Sequence, residues 1–410
     1  MLRRAKDLTA KVDWRPIAII HADLEGRVVG PSPAGPYPQR VWIEVGEESR
    51  VLATVDGTLE DVGRLAETTR DRLRAIVADS AAVGEGTRDD GPWPFATVVV
   101  PTIARDLERL TATVASLRAL DYPRYEVIVV DNRTGPTIAL ALREDERVRV
   151  VSESRPGASA ARNRGVQSAM GELVAFTDDD AVVDPQWLRS IATRFRSDPD
   201  VEGVGGLVLP AEFAHPAQLW FEEFYGGFTR AFTARTLRLH AGHDGDPLFP
   251  YGPGAYGAGC NMAFRRSTLS RLAGFDTRLG PGTPARGGED PELFIRLVSS
   301  GGVVAVEPTA IVRHAHRRSD GEFYRQVFGY GVGLTAMYTA LVVRDPRHLV
   351  SMARRVGPAL RHLTRARTER SIVVGSSYPR RTYVYQLAGM LYGPIAYARS
   401  VARASARGRG

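Results

Sequence analysis

Apolar residues along this chain fall into three blocks with different periods. From about Asp13 to Ala82, short apolar runs at Ile17–Ile20, Val41–Val45 and Val51–Val55 predict strands. Leu59, Val62, Leu65, Leu73 and Ile76 then recur near helical spacing, so this block predicts a small α+β unit with no cluster of chemical residues. The segment from Gly84 to Pro94 interrupts the pattern with glycine, proline and charge, and reads as a linker. Between about Phe95 and Arg318 the two periods alternate. Ala96–Val100, Glu126–Val130, Arg147–Ser152 and Leu173–Phe176 predict strands. The stripe Leu107, Leu110, Val114, Leu117 and Leu120, and the segment Ala158–Met170, predict helices. From about Asp320 the chain predicts as helical.

This β-α-β rhythm predicts an α/β fold, a mostly parallel sheet with helices on its faces. The expected division is 1–83, 84–94 as linker, 95–318 and 319–410. Three of the predicted strands run into polar or charged residues. In open α/β sheets that edge is where ligands bind.

Length and composition refine this picture only a little. A chain of 410 residues is too long for one ordinary core, and 43% hydrophobic with 25% charged residues is globular composition. The single cysteine, Cys260, cannot form an internal disulfide, which fits a reducing compartment. No apolar segment follows the basic start, so no secretory signal is expected. The apolar stretches Val327–Val343 and Val384–Ala398 are interrupted by Gly, Tyr or Pro, and neither reads as a membrane span.

Charge changes the picture more. The chain carries +7, but from Arg344 to the end it holds 14 Arg, no Lys and 2 acids, a local +12 that leaves −5 for the rest. Tyr383, Tyr385, Leu387, Leu391, Tyr392, Ile395 and Tyr397 are interleaved with that charge. Basic and apolar residues mixed in this way predict contact with an anionic membrane surface. A solvated tail is the plainer alternative. Nucleic acid is not expected, because no recognition motif accompanies the charge.

The candidate chemistry lies past the strand ends. Thr177-Asp-Asp-Asp180 follows Leu173–Phe176. Adjacent carboxylates repel, and a hard cation such as Mg²⁺ or Mn²⁺ relieves that repulsion through oxygen ligands. With strand alternation, Asp178 and Asp180 face one site and Asp179 points aside. The run also reads as a solvated loop with Asp180 starting a turn, and the residues alone leave both open. Gly157 and the small residues after it open a helix carrying Arg162 and Arg164, a setting that suits anions. Asp131 ends the second strand and reads either as an acceptor for a base or ribose or as a turn former. In Gly288-Glu-Asp-Pro291, Pro291 suits the first helical position, which makes Asp290 the expected N-cap, its pKa held low by the helix dipole. His314 and His316 stand at strand spacing, so both could face one side or simply pack.

In order and spacing these segments resemble the family 2 glycosyltransferases of the GT-A fold, over about Phe95 to Arg317. The residues that carry the resemblance are Val98-Val-Val-Pro-Thr102, Tyr122-Pro with Val127-Ile-Val-Val-Asp131, and Gly157 with Ala161-Arg-Asn-Arg-Gly165. Further along come Phe176-Thr-Asp-Asp-Asp180, Gly259-Cys-Asn-Met-Ala-Phe-Arg265, Gly274-Phe-Asp276 and Gly288-Glu-Asp-Pro-Glu-Leu293. The resemblance implies the nucleotide-diphospho-sugar transferase architecture, a mixed sheet flanked by helices. It implies that Pro101, Thr102 and Asp131 border the nucleotide base, that Arg162 and Asp178 lie on the donor, and that Asp180, with His314, holds Mn²⁺ or Mg²⁺. Asp290 matches the general base of inverting members, while Asn261 and Glu289 fall on the acceptor side. Cys260 reads there as a packing residue. The donor implied is a nucleotide sugar, UDP sugars being favoured, and the acceptor a glycan or a lipid-linked sugar. The setting implied is cytoplasmic, peripheral at the inner face of the plasma membrane. The Gln-x-x-Arg-Trp motif of processive members is missing, which implies transfer of a single sugar. A nucleotidyltransferase on the same fold and a catalytically silent scaffold are the alternatives. A dehydrogenase is disfavoured, since no Gly-x-Gly-x-x-Gly follows the first strand of the central block.

Overall fold

The computed structural model describes residues 17–29, 41–57, 67, 92–355, 357 and 378–407, apart from short breaks at 24, 48–49, 136–137, 139–141, 143–145, 226, 229–231 and 240–245. The helical pattern from Leu59 to Ile76, most of the linker, and the tail arginines Arg361, Arg365, Arg367 and Arg370 lie outside the described residues.

The three apolar runs near the start form strands as expected: β1 (Ala18–Ala22), β3 (Val41–Glu47) and β4 (Arg50–Gly57), with the short β2 (Val28–Val29). They make a four-stranded sheet in the order β2-β1-β3-β4. The central block holds β5 (Ala96–Thr102), β6 (Tyr125–Asp131), β7 (Val148–Ser152), β8 (Leu173–Phe176), β9 (Ala181–Val183), β10 (Val201–Pro210), β11 (Arg235–Leu237), β12 (Met262–Arg265) and β13 (Val303–His314). Its helices are α1 (Leu107–Arg118), α2 (Ala158–Ser168), α3 (Trp187–Ser197), α4 (Pro216–Tyr225), α5 (Arg266–Arg271) and α6 (Glu289–Ser299). Two long helices follow, α7 (Asp320–Arg344) and α8 (Arg381–Arg407).

The nine central strands form one mixed sheet, ordered β11-β13-β10-β12-β8-β5-β6-β7, with β9 added against β13. β8, β5, β6 and β7 are parallel. β12 is antiparallel to both β8 and β10, so β10 runs the same way as β8, and β13 is parallel to β10. Six strands therefore share one direction. Their carboxyl ends, at Thr102, Asp131, Ser152, Phe176, Pro210 and His314, lie along a common edge.

Both faces of this sheet are covered, which is why its strands read as continuous apolar runs. Alternate residues divide between the faces. Val98, Val100, Val127 and Val129 pack with Leu110, Val114 and Leu117 of α1 and with Trp187 and Ile191 of α3. Val99, Ile128, Val130 and Phe176 pack with Ala161 of α2, Leu293 and Phe294 of α6, and Met337 and Leu341 of α7. Each such buried side chain contributes roughly 1.5–3 kcal/mol of transfer free energy. The small residues of α2 have a packing reason: a Cβ on Gly165 would lie 2.3 Å from Val99 Cγ1.

The N-terminal sheet leans on this block. Ile17 bridges to Phe213, and Val51 packs with Leu207, Leu209 and Ile311. The buried Glu44 carboxylate accepts two hydrogen bonds from Arg313, at 2.7 and 3.0 Å, one residue before His314.

The glycines that interrupt the two long apolar stretches turn out to be contact points. A Cβ on Gly331 would meet Gln386 O at 2.3 Å, one on Gly389 would meet Phe328 O at 2.2 Å, and one on Gly393 would meet Thr335 Oγ1 at 1.9 Å. They allow α7 and α8 to approach closely, and α8 continues through Pro394. Among the described residues α7 alone is long and apolar enough to cross a membrane, and half of that stretch is buried inside the molecule.

Candidate active site

The site builds up where the shared sheet edge meets the start of α6. The strand reading of the acidic run needs correction first. Asp179 and Asp180 form a turn between β8 and β9, so side-chain alternation does not govern them. Each carboxylate takes a different partner. Asp178 accepts from Arg162 Nη2 at 3.1 Å. Asp179, instead of pointing aside, accepts from the Thr102 hydroxyl. Asp180 lies 3.1 Å from His314 Nε2 and 3.5 Å from Arg317 Nη1.

These partners set the charge states. Burial alone would raise the Asp180 carboxyl, but the His314 imidazole and the Arg317 guanidinium outweigh it and hold the group below the ordinary carboxylate range. Burial works against a charged His314, and Asp180 beside it reverses that and raises the imidazole. Asp179 is pushed up to about 6 by burial, with Asp180 and Asp178 adding repulsion that the Thr102 hydrogen bond only partly offsets.

Asp178, Cys260 and His314 each offer a ligand atom within 4.8 Å of one another, and Asp180 bonds the same imidazole. The His314 Nδ1 is buried without a hydrogen-bond partner. Two carboxylates and an imidazole suit a divalent cation such as Mn²⁺. Cys260 does not suit one, because burial, reinforced by the carboxylates of Asp178, Asp180 and Asp290, keeps its thiol protonated. Asp178 and His314 thus fit a divalent metal ion, with Asp180 against the same imidazole.

The second cluster centres on Arg162. This guanidinium is almost wholly buried and bridges two elements, donating from Nη1 to Glu289 Oε1 at 2.6 Å and from Nη2 to Asp178. Its side chain also lies over the Phe275 ring. Asp290 is not the N-cap of α6. Gly288 takes that position with φ +86°, so Glu289 and Asp290 stand in the first turn. The helix dipole still acts in that turn, but the low pKa expected of Asp290 is not found. Burial raises this carboxyl well above its ordinary range, and Glu289 raises it further. Arg162 and two backbone N–H groups pull the other way and lose. The residue is nevertheless half-buried, not sealed. Its Oδ2 accepts from the Gly259 N–H at 2.7 Å.

Other predicted positions fall differently. Asn261 does not face the acceptor side: it is fully buried, donates to Leu207 O and Ala310 O at 2.8 Å, and accepts from Trp187 Nε1 at 2.8 Å. It braces β10, β13 and α3. Glu289 is also buried and faces Arg162, so it holds that guanidinium and presents nothing to an acceptor. Asp131 ends β6 as read, but Arg133 takes both its oxygens, at 2.8 and 3.0 Å. Pro101 and Thr102 close β5 beside it, in register with Val130 and Asp131. His314 and His316 do lie close, with ring centroids 5.7 Å apart, yet His316 pairs with Glu222 of α4.

Sequence reasoning missed Arg317 beside Asp180 and the Gly259 N–H that anchors Asp290. A backbone donor carries no side-chain signal. Only the glycine itself pointed there, since a Cβ at Gly259 would come 2.9 Å from Arg162 Nη2.

The family model described as Glycosyl transferase family 2 matches residues 97–272. Among characterised proteins, the chain is 27% identical to the pre-mycofactocin glycosyltransferase of Mycobacterium tuberculosis, over 80% of this chain and 63% of that protein. It is 27% identical to the glucosyl-dolichyl phosphate glucuronosyltransferase of Haloferax volcanii, over 45% of this chain and 56% of that one. The chain thus spans less than two thirds of the length of these relatives. Among solved structures, the mannosyltransferase PcManGT of Pyrobaculum calidifontis, in complex with GDP-Man and Mn²⁺, is similar at 21% identity and a TM-score of 0.48. That match covers 78% of this chain and 97% of that one.

Proposed function

Because residues 97–272 match the glycosyl transferase family 2 model and the central block forms a mixed sheet flanked by helices, we infer that this chain moves a single sugar from a nucleoside-diphosphate donor to an acceptor hydroxyl, with inversion at the anomeric carbon. Asp290 is the observation that carries this reading. It is a half-buried carboxyl anchored by the Gly259 N–H, with its proton affinity raised by burial and by Glu289. A carboxylate with raised pKa is a better base near neutral pH than an ordinary one. In the proposed step Asp290 takes the proton from the acceptor hydroxyl. That oxygen forms the new bond to the anomeric carbon while the bond to the diphosphate breaks, and the nucleoside diphosphate leaves.

Asp178, Asp180 and His314 would hold Mn²⁺ or Mg²⁺, which when bound neutralises the leaving diphosphate. The low proton affinity of Asp180 keeps it ionised for that task. Arg162 connects Asp178 of this group to Glu289 beside the base, so one buried side chain ties the two parts of the site together. Thr102 and Pro101, at the end of β5, lie on the donor's side of the edge in this reading. In this reading a nucleotide sugar is the donor class and a glycan or lipid-linked sugar the acceptor class; the glucosyl-dolichyl phosphate in the name of the Haloferax volcanii relative is a lipid-linked sugar.

A thermal-shift screen of UDP, GDP and dTDP sugars, each with and without Mn²⁺, tests this directly. A ligand that binds only the folded state raises Tm, by about 2.7 kcal/mol of stabilisation at a hundredfold excess over Kd. The expected result is a shift that needs both metal and nucleotide sugar, followed by release of nucleoside diphosphate with an acceptor. Release of pyrophosphate instead would mean a nucleotidyltransferase, and binding without any turnover would mean a silent scaffold.

A further inference from the structure

A cavity of about 280 Å³ lies between α8 and the loop that leads to the candidate base. The turn Gly282–Pro284 forms one wall, and Arg286, Arg399, Arg403 and Tyr392 form the rest. None of the three arginines pairs with a carboxylate among the described residues. Arg286 lies over the Phe328 ring and Arg399 over Tyr392, donating to its hydroxyl. Three guanidiniums converging on one cavity without a counter-charge repel one another, and an anion would relieve this.

The same helix presents an apolar stripe to solvent. Val384, Leu387, Leu391 and Ile395 are 66, 58, 81 and 54% exposed. At about 100° per residue, Val384, Leu391 and Ile395 fall within roughly 40° of one another, and Arg399 and Arg403 sit about 80–120° round from Leu391. The apolar stripe is thus bordered along one side by the arginines of the cavity. The opposite face, with Gly389, Gly393, Ala396 and Ser400, is buried against the molecule. α8 contains no acid anywhere along its length. An apolar stripe rimmed by arginine on a helix lacking acids is the pattern of a helix lying in the headgroup region of an anionic membrane.

We propose that α8 docks this protein on an anionic lipid bilayer, with Leu391 and Ile395 entering the interface and the Arg286–Arg399–Arg403 cavity seating a lipid phosphate headgroup. The cavity shares its loop with the candidate active site. Pro281 O accepts from the Ala158 N–H at the start of α2, and the loop runs on through Gly288 into Glu289 and Asp290. A bilayer held by α8 therefore lies against the segment that carries the proposed base, which places a lipid-linked acceptor within the enzyme's working side. This last step rests on the glycosyltransferase reading; the docking itself does not.

Flotation of the whole chain with vesicles tests the docking without turnover. The protein should float with equimolar phosphatidylglycerol and phosphatidylcholine, and should stay behind with phosphatidylcholine alone. R399E/R403E should bind the anionic vesicles at least about 30-fold more weakly, from about 1 kcal/mol for each surface arginine lost, with the added glutamates repelling the surface further. L391S/I395S should also lose binding, while far-UV circular dichroism and Tm show both variants folded. Equal flotation with neutral vesicles, or unchanged binding by both variants, would overturn the proposal. So would saturable binding of inorganic phosphate, lost in R399E/R403E, with no flotation on either vesicle: the cavity would then be a site for a free anion.

Discussion

Asp180 and Asp290 are the same residue type at one edge of one sheet, and their surroundings push them in opposite directions. Asp180 is half-buried, yet His314 at the end of β13 and Arg317 just beyond it keep it ionised. Asp290 is accompanied by Glu289, and its nearest cation, Arg162, is already shared between Glu289 and Asp178. Burial therefore wins at Asp290 and the carboxyl holds its proton more tightly. When two titratable groups are driven apart in this way, the environment has separated their tasks. One suits a permanent negative charge facing a cation. The other suits a group that must take up a proton and release it again.

Two variants should break this comparison most sharply. D290N keeps an oxygen for the Gly259 N–H and removes the titrating group. Transfer should fall by about a thousandfold, within the usual range for a lost general base, while the metal-dependent thermal shift with nucleotide sugar persists. D180N should do the reverse at the binding stage, abolishing that shift. If D290N lost the shift, or D180N kept it with full turnover, the division between the two carboxylates would be wrong.

Asn261 sharpens the boundary of the site from the other side. It lies two residues from Gly259, but its amide ties β10, β13 and α3 together. N261A would take the acceptor from the buried Trp187 indole N–H and a donor from each of two buried carbonyls. The expected cost is about 2–4 kcal/mol of stability, read as a lower denaturation midpoint, with kcat nearly unchanged in the folded fraction. A large fall in kcat with normal stability would return Asn261 to the acceptor side.

That contrast also marks what could be read in the sequence. The β5-to-β8 half of the sheet was legible because each strand is a short apolar run with both faces buried and a polar residue at its end. The half built from β10, β12 and β13 was largely not, because its neighbours come from distant segments and β12 runs backwards between β8 and β10. The acidic run was visible as a ligand-binding feature, but its geometry followed the turn at Asp179–Asp180 and not strand alternation. Asp290 was found as a residue and misjudged as a helix cap, because proline at the first helical position is a local preference. Here Gly288, at φ +86°, opens the helix earlier. Its raised pKa depends on burial by elements far away in sequence, which no local pattern encodes. The glycines of α7 and α8 were read as interruptions, and only the pairing of the two helices reveals them as points of contact.

The smallest effect, and the most specific, concerns Glu289. Its negative charge raises Asp290, and its hydrogen bond draws Arg162 toward itself. E289Q removes the charge and keeps an oxygen for the guanidinium, so the fold and Arg162 should stay in place. Without that charge, and with the attraction of Arg162 less fully met, the Asp290 carboxyl loses its proton more easily. A general base works in its ionised form. The acidic limb of kcat/KM should therefore move to lower pH in E289Q, with kcat at the optimum changed by no more than about tenfold. Because kcat/KM reports the free enzyme, the shift can be compared directly with the arrangement described here. A limb that moved to higher pH would mean that Asp290 is not the titrating base. One that stayed in place would mean that burial alone sets its proton affinity and that Glu289 serves only to hold Arg162.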